Sequence, residues 1–262
     1  MGRGLLLVCL LMLGAAGARA APSLYLEDLT WPELRAQIAA GKTTILVPIG
    51  GTEQNGPHMA LGKHNARVKV LAGKIAAALG NALVAPVIAY VPEGDVDRPQ
   101  GHLKFPGTIT VPTGAFEQVL EYAAKSFKLA GFRNIVFLGD HGGYQKADRA
   151  VAERLDREWA ATPARAYALD EYYRASETGF PQLLKQKGYS EAEIGTHAGL
   201  ADTSLMLATD PALVRTGLMG QTRAGDGVHG DPRRSSAALG EAGVALIVTR
   251  TVAAVRNAVA HR

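Results

Sequence analysis

The chain has 262 residues, 47% hydrophobic, 20% charged and 6% aromatic, with 30 glycines, 13 prolines and one cysteine. That composition belongs to a globular protein and excludes a disordered chain, a collagen and a disulfide scaffold. Half of the formal charge of +4 comes from Arg3 and Arg19, which lie in an acid-free N-terminal stretch. The nearly neutral remainder lacks the concentrated basic surface that nucleic acid requires.

The N-terminus comes first. Arg3 precedes an unbroken apolar run over residues 5–13. The run is shorter than the ~20 residues of a membrane span and has the length of a secretory signal core. Small residues follow, and Ala18-Arg19-Ala20 fits a small-x-small cleavage site. Residues 1–20 are therefore expected to be a removed signal peptide. Residues 21–262 would form a single domain, exported to the periplasm. Cys9 lies inside the signal, so the mature chain would hold no thiolate and offer only N and O donors to a metal. No later segment is expected to span a membrane.

The next elements alternate. A helix is expected over 31–40, with Thr30 as N-cap, Pro32 in its first turn and Gly41 closing it. The β-branched run 43–49 reads as a buried strand, 65–79 as a helix ending at Gly80, and 82–90 as a strand interrupted by Pro86. A short strand at 108–111, a helix over 113–130, a central strand at 134–138, a helix over 145–158 and a strand at 165–169 follow. The segments 93–100 and 170–188 read as loops that set specificity. One or two helices fall within 190–208, and a long helix over 236–260 starts at Ser236. Alternating strands and helices imply a mainly parallel sheet covered on both faces. In such folds ligands bind beyond the carboxyl ends of the strands.

The reactive side chains fall in those loops. After the 43–49 strand comes Gly50-Gly51-Thr52-Glu53-Gln54-Asn55-Gly56-Pro57-His58, then Lys63-His64. After the central strand comes Gly139-Asp140-His141-Gly142-Gly143. Further on are His197-Ala198-Gly199 with Asp202, and Gly227-Val228-His229-Gly230-Asp231-Pro232. Five of seven histidines thus sit in glycine-containing segments, several beside an acid. Imidazole and carboxylate are ordinary ligands of divalent ions and ordinary acid–base groups. The spacing alone supports a metal or acid–base site and no more, because the H-E-x-x-H, G-x-S-x-G, P-loop and G-x-G-x-x-G patterns are all absent.

These segments, in this order, resemble the creatininase (creatinine amidohydrolase) family. Val47 to His58 resembles its V-P-x-G-S-x-E-Q-H-G-P-H stretch, Phe105-Pro106-Gly107-Thr108 its F-x-G-T, and Gly139 to Gly143 its N-G-H-G-G-N turn. His197-Ala198-Gly199 with Asp202-Thr203-Ser204 resembles H-A-G-x-x-E-T-S, and Gly227 to Pro232 resembles G-V-x-G-D-P. The resemblance implies a three-layer α/β/α sandwich, a homo-oligomer (often a hexamer) and a divalent-metal site for hydrolysing C–N bonds of small molecules. Its two-metal members hold one ion with the Glu of E-Q-H-G, the Asp of T-D and the His of N-G-H. A second ion uses the His of E-Q-H-G and shares that Asp.

The departures matter. Asn55 stands at the E-Q-H-G histidine, His64 at the T-D aspartate, and Tyr144 at the final Asn of the turn. An aspartate can bridge two ions, whereas an imidazole nitrogen binds one. The expected set is therefore Glu53, His64 and His141 around a single ion, zinc or alternatively manganese. His197 is expected as general acid/base, with Asp202 orienting it or approaching the metal. Asn55, His58, Asp140 and His229 are expected to support ligands or touch substrate. An exported binding protein without catalysis, and a hydrolase of carbohydrate or lactone substrates, remain alternatives at this point.

Overall fold

The structure is a computed structural model describing residues 23–260. The expected signal peptide lies outside the described residues. Four strands, β1 (Thr44–Ile49), β2 (Ala82–Val84), β3 (Asn134–Gly139) and β4 (Arg165–Ala168), form one parallel sheet in the order β2-β1-β3-β4. The helices are α1 (Trp31–Ala39), α2 (Lys63–Leu79), α3 (Thr113–Ala130), α4 (Gln145–Glu158), α5 (Asp170–Arg174), α6 (Phe180–Gln186), α7 (Glu191–Ile194), α8 (Leu200–Thr209) and α9 (Ala237–Ala260).

Strand alternation builds the two outer layers. Ile45, Val47 and Ile49 of β1, with Ile135 and Phe137 of β3, pack against Phe116 and Leu120 of α3 and Val151 and Leu155 of α4. Leu46, Val136 and Leu138 point the other way, onto Val68, Leu71 and Ile75 of α2 and Ile247 and Val255 of α9. Every residue of β1 and β3 is buried. Each large apolar side chain so buried contributes about 1.5–3 kcal/mol, which is why these strands read as continuous apolar runs.

Several expectations need correction. β2 stops at Val84, because Pro86 has no N–H for a ladder; Ile88 regains only an isolated bridge to Ile49. Residues 108–111 lie outside the sheet, where Ile109 N–H donates to Thr52 O and Val111 N–H to Val91 O. The expected loop 170–188 is mostly helical. α5 runs through a π-helical turn, Ala175–Gly179, into α6, so Pro181 lies inside one continuous helical run just after that wider turn. α9, at 24 residues, is long and apolar enough to cross a membrane by length and composition, contrary to the expectation that no later segment is. Here it packs along α8 and α2 and buries Ile247, Val252 and Val255.

Asp148 of α4 is buried, and its Oδ1 has no hydrogen-bond partner. Burial pushes its carboxyl up to about 7. Between pH 4 and 7 the folded chain keeps a proton that the unfolded chain has lost, so stability falls as pH rises through that window. At about 1.4 kcal/mol per pH unit the loss is on the order of a few kcal/mol. Asp148→Asn should therefore raise the urea midpoint at pH 8 and leave it nearly unchanged at pH 4; equal shifts at both would contradict this.

Candidate metal centre and active site

The chain leaves β1 toward β2 on one side, then crosses to β3 on the other, so the topological switch lies between β1 and β3. Both strands end there in register, with Ile49 opposite Gly139. The two loops are locked together. Asp140 N–H donates to Ile49 O at 3.0 Å. The Tyr144 hydroxyl lies within 2.7–2.8 Å of the carbonyls of Ile49 and Gly50 and accepts from Asp140 and His141 N–H at 3.0 Å. Gly50 must be glycine, because a Cβ would sit 2.1 Å from Asn65 Oδ1, which accepts from Gly51 N–H.

Glu53 stands at the centre and is fully buried. Its Oε1 lies 2.8 Å from His64 Nε2, 3.4 Å from Lys63 Nζ and 3.6 Å from His197 Nδ1. Its Oε2 lies 3.6 Å from both His141 Nε2 and His102 Nε2 and has no hydrogen-bond partner. Burial pushes this carboxyl up, but Lys63 and His64 more than offset that and hold it well below the usual range.

The ring nitrogens that point away from Glu53 have carboxyl groups beside them, and His141 Nδ1 also accepts from Gly143 N–H at 3.2 Å. His64 Nδ1 is 2.7 Å from Asp140 Oδ2. Asp140 is itself bound by the Arg67 guanidinium and by the Tyr172 hydroxyl at 2.6 Å. His141 Nδ1 is 3.2 Å from Glu93 Oε1, a buried oxygen with no hydrogen bond of its own. Burial and then Glu53 push the Glu93 carboxyl up to about 8. Burial, then the charge of His64, brings His141 down to about 4, so it is neutral at neutral pH.

Two sets of three side chains bring ligand atoms within 4.8 Å of one another: Glu53 with His64 and His141, and Glu53 with His102 and His197. The first fits a divalent cation on three counts. Two imidazoles and a carboxylate suffice for a catalytic ion with an open position. The Asp140 carboxylate stands behind the His64 ring, the arrangement that turns a histidine's second nitrogen toward a metal, and the Glu93 carboxyl lies beside the second nitrogen of His141. With His64 neutral, as a ligand must be, Glu53, Asp140 and Asp202 outnumber Lys63 and Arg67 by one charge, and the orphaned Glu53 Oε2 faces the gap.

The other expected residues are placed as follows. His197 lies in the cavity, its Nε2–H donating to Gln54 O at 2.9 Å, which leaves a lone pair on Nδ1. Asp202 takes its hydrogen bonds from Lys63, Arg67 and Ala198 N–H, so the ring of His197 is oriented by Gln54 instead. Asn55 is buried and donates to the carbonyls of Glu53 and Ala60, closing the loop. His58 is buried 3.0 Å from Thr203 Oγ1 and does not line the cavity. His229 lines it, opposite His197. The cavity holds about 340 Å³ and adjoins a lobe of about 270 Å³ through Glu177, Thr196, His197 and Asp202.

Lys63, Arg67, Glu93, Gln54 and His102 were missed from sequence. Lys63 and Arg67 are four apart on α2 and share its inward face with His64, a polar cluster on an otherwise apolar buried face. His102 lies three residues before Phe105-Pro106-Gly107-Thr108, the segment already matched by resemblance.

A parallel sandwich with carboxylate and imidazole ligands converging at its switch point is the architecture of a metal-dependent amidohydrolase. The chain belongs to the creatininase family: the family model for creatinine amidohydrolase matches residues 27–255. The chain is 30% identical over 222 residues to the mycofactocin precursor peptide peptidase of Mycolicibacterium smegmatis, covering 75% of this chain and 78% of that one. It is 27% identical over 200 residues to the creatinine amidohydrolase of Pseudomonas putida, covering 73% and 74%. A manganese creatininase structure superposes with a TM-score of 0.71 at 24% identity, over 90% of this chain and 98% of that one. A Zn–Zn form of a mutant creatininase superposes with the same score at 23% identity. The protein is thus a divalent-metal amidohydrolase of this family.

Proposed function

We propose that the protein hydrolyses a C–N bond of an amide, cyclic amide or lactam in a small molecule, with one divalent ion, zinc or manganese, held by Glu53, His64 and His141. The observation that carries this is the ligand set itself, two imidazoles, one held by Asp140 and the other beside Glu93, around a carboxylate with one orphaned oxygen. When bound, the ion supplies Lewis acidity and lowers the pKa of water toward ~7. His197, with its free Nδ1 toward Glu53, takes a proton from the attacking water and returns it to the leaving nitrogen. A C–O bond forms, the C–N bond breaks, and the products are a carboxylic acid and an amine. Burial and then the Lys63 charge lower His197 to about 3, so its ring is neutral at neutral pH. Lys63, 3.4 Å from Glu53, stands where a second cation would be repelled.

The proposal includes export, with a mature chain starting at Ala21, and a homo-oligomeric state that sizing during purification would reveal. Metal analysis of the chain from Ala21 should find about one ion. On a panel of creatinine, lactams, cyclic amides and short peptides, turnover should vanish with chelator and with His141→Ala. Two tightly held ions per chain would sink the single-ion assignment, and chelator-resistant turnover would sink the metal mechanism. No turnover on any member would leave a binding role.

A further inference from the structure

His102 belongs to the second possible ligand set, but its hydrogen bonds argue that it is not a ligand. The Gln54 amide has a determined orientation. Gly56 N–H, which can only donate, is 2.9 Å from Oε1, and the Gly227 carbonyl, which can only accept, is 3.0 Å from Nε2. A flipped amide would face both with the wrong atom. Gly227 is fitted to this contact: its φ is +86°, and a Cβ there would lie 2.1 Å from Gln54 Oε1. The second amide proton therefore points at His102 Nδ1, 2.7 Å away. Nδ1 must accept, so the single proton of the neutral ring sits on Nε2. That nitrogen faces Glu53 Oε2 at 3.6 Å, in the cavity, with the His197 ring 4.2 Å from its own. An N–H cannot ligate a metal. His141 Nδ1 instead has two neighbours at 3.2 Å, the Gly143 N–H and the unpartnered Glu93 Oε1, so no contact of this kind fixes its tautomer.

We propose that His102 is a catalytic hydrogen-bond donor, its Nε2–H holding the carbonyl oxygen of the scissile bond, and that Gln54 is the positioning residue that sets its tautomer. A fixed donor aimed at the oxygen where charge develops is the arrangement that lowers acyl-transfer barriers. This assignment rests on the hydrolase function proposed above, but its tests need not share that function's fate.

Histidine-labelled, zinc-loaded wild-type protein should give a 15N NMR pattern for His102 protonated at Nε2 alone; protonation at Nδ1 would overturn the proposal, and this needs no variant to fold. Gln54→Glu, whose carboxylate accepts from Nδ1–H, should move the proton to Nδ1; an unchanged tautomer would refute the positioning role. His102→Ala should keep the wild-type zinc content, and zinc loss would restore His102 as a ligand. With creatinine or whichever panel amide is turned over, the same variant should lose roughly 10²–10³-fold in kcat with little change in KM. Unaltered kcat would overturn the catalytic role even though the enzyme remained a hydrolase.

Discussion

Glu53→Gln is expected to strip the chain of its divalent ion and to abolish turnover. Glu53 belongs to both candidate ligand sets, and its two oxygens reach Lys63, His64, His102, His141 and His197. Glutamine keeps the size and one carbonyl oxygen but removes the anion that a cation needs. It also places an amide N–H among imidazoles that must offer lone pairs. The ion contributes several kcal/mol toward stabilising developing charge, and a tenfold rate change is about 1.4 kcal/mol, so turnover should fall by roughly 10³-fold or more. Folding should survive, because Lys63 keeps its 2.9 Å contact with Asp202. Metal analysis and circular dichroism of the same sample separate the cases. A folded Glu53→Gln protein with full ion content would refute Glu53 as the shared ligand.

Much of this centre was legible before the fold was known, and the reason is local. Glu53, His64 and His141 follow buried apolar strands through glycine-rich turns, and the chain itself announces such places. The helices 113–130 and 145–158 were equally plain, since Gly131 closes the first in a left-handed turn and the second carries an apolar stripe. The segment 170–188 hid its helices because Gly179-Phe180-Pro181 reads as a break, whereas the proline lies within a helical run that passes through the π-helical turn Ala175–Gly179. The supporting charges hid for a different reason. Lysine and arginine on a helix ordinarily face water, and only the three-dimensional meeting of α2 with the β3 loop and α8 brings acids 73 and 135 residues from Arg67 onto its guanidinium. His102 and Gln54, 48 residues apart, likewise acquire their meaning only from contact. The candidate ligands were visible because they fall in the glycine-rich segments that follow β1 and β3; what orients them was not, because it comes from elsewhere in the chain.

That orienting network carries the second large effect. Arg67 is fully buried. Its Nε donates to both oxygens of Asp140, at 3.2 and 2.9 Å, and its Nη1 donates to Asp202 at 2.6 Å. Arg67→Met would keep the apolar volume of the stem, deprive the buried Asp140 of its guanidinium and leave Asp202 with Lys63 alone. Removing one partner of a buried ion pair costs about 3–5 kcal/mol. In a chain of this size that is roughly 6–20 °C in Tm. The pH dependence has a defined sign. Burial pushes Asp140 up, but Arg67 and His64 overcome it, so its folded pKa lies below 3.8. Its contribution to wild-type stability is therefore present above pH 4 and is lost as pH falls through the lowered value. Without Arg67, burial dominates, the folded pKa rises, and ionisation now opposes folding. The deficit of Arg67→Met should accordingly be larger at pH 7.5 than at pH 4.5 in urea denaturation. Adding Asp140→Asn removes the orphaned charge and should recover part of the stability, but not the metal affinity, because His64 loses the anion behind Nδ1. A deficit independent of pH, or a double variant no more stable than the single, would show that Arg67 acts here by packing rather than by charge.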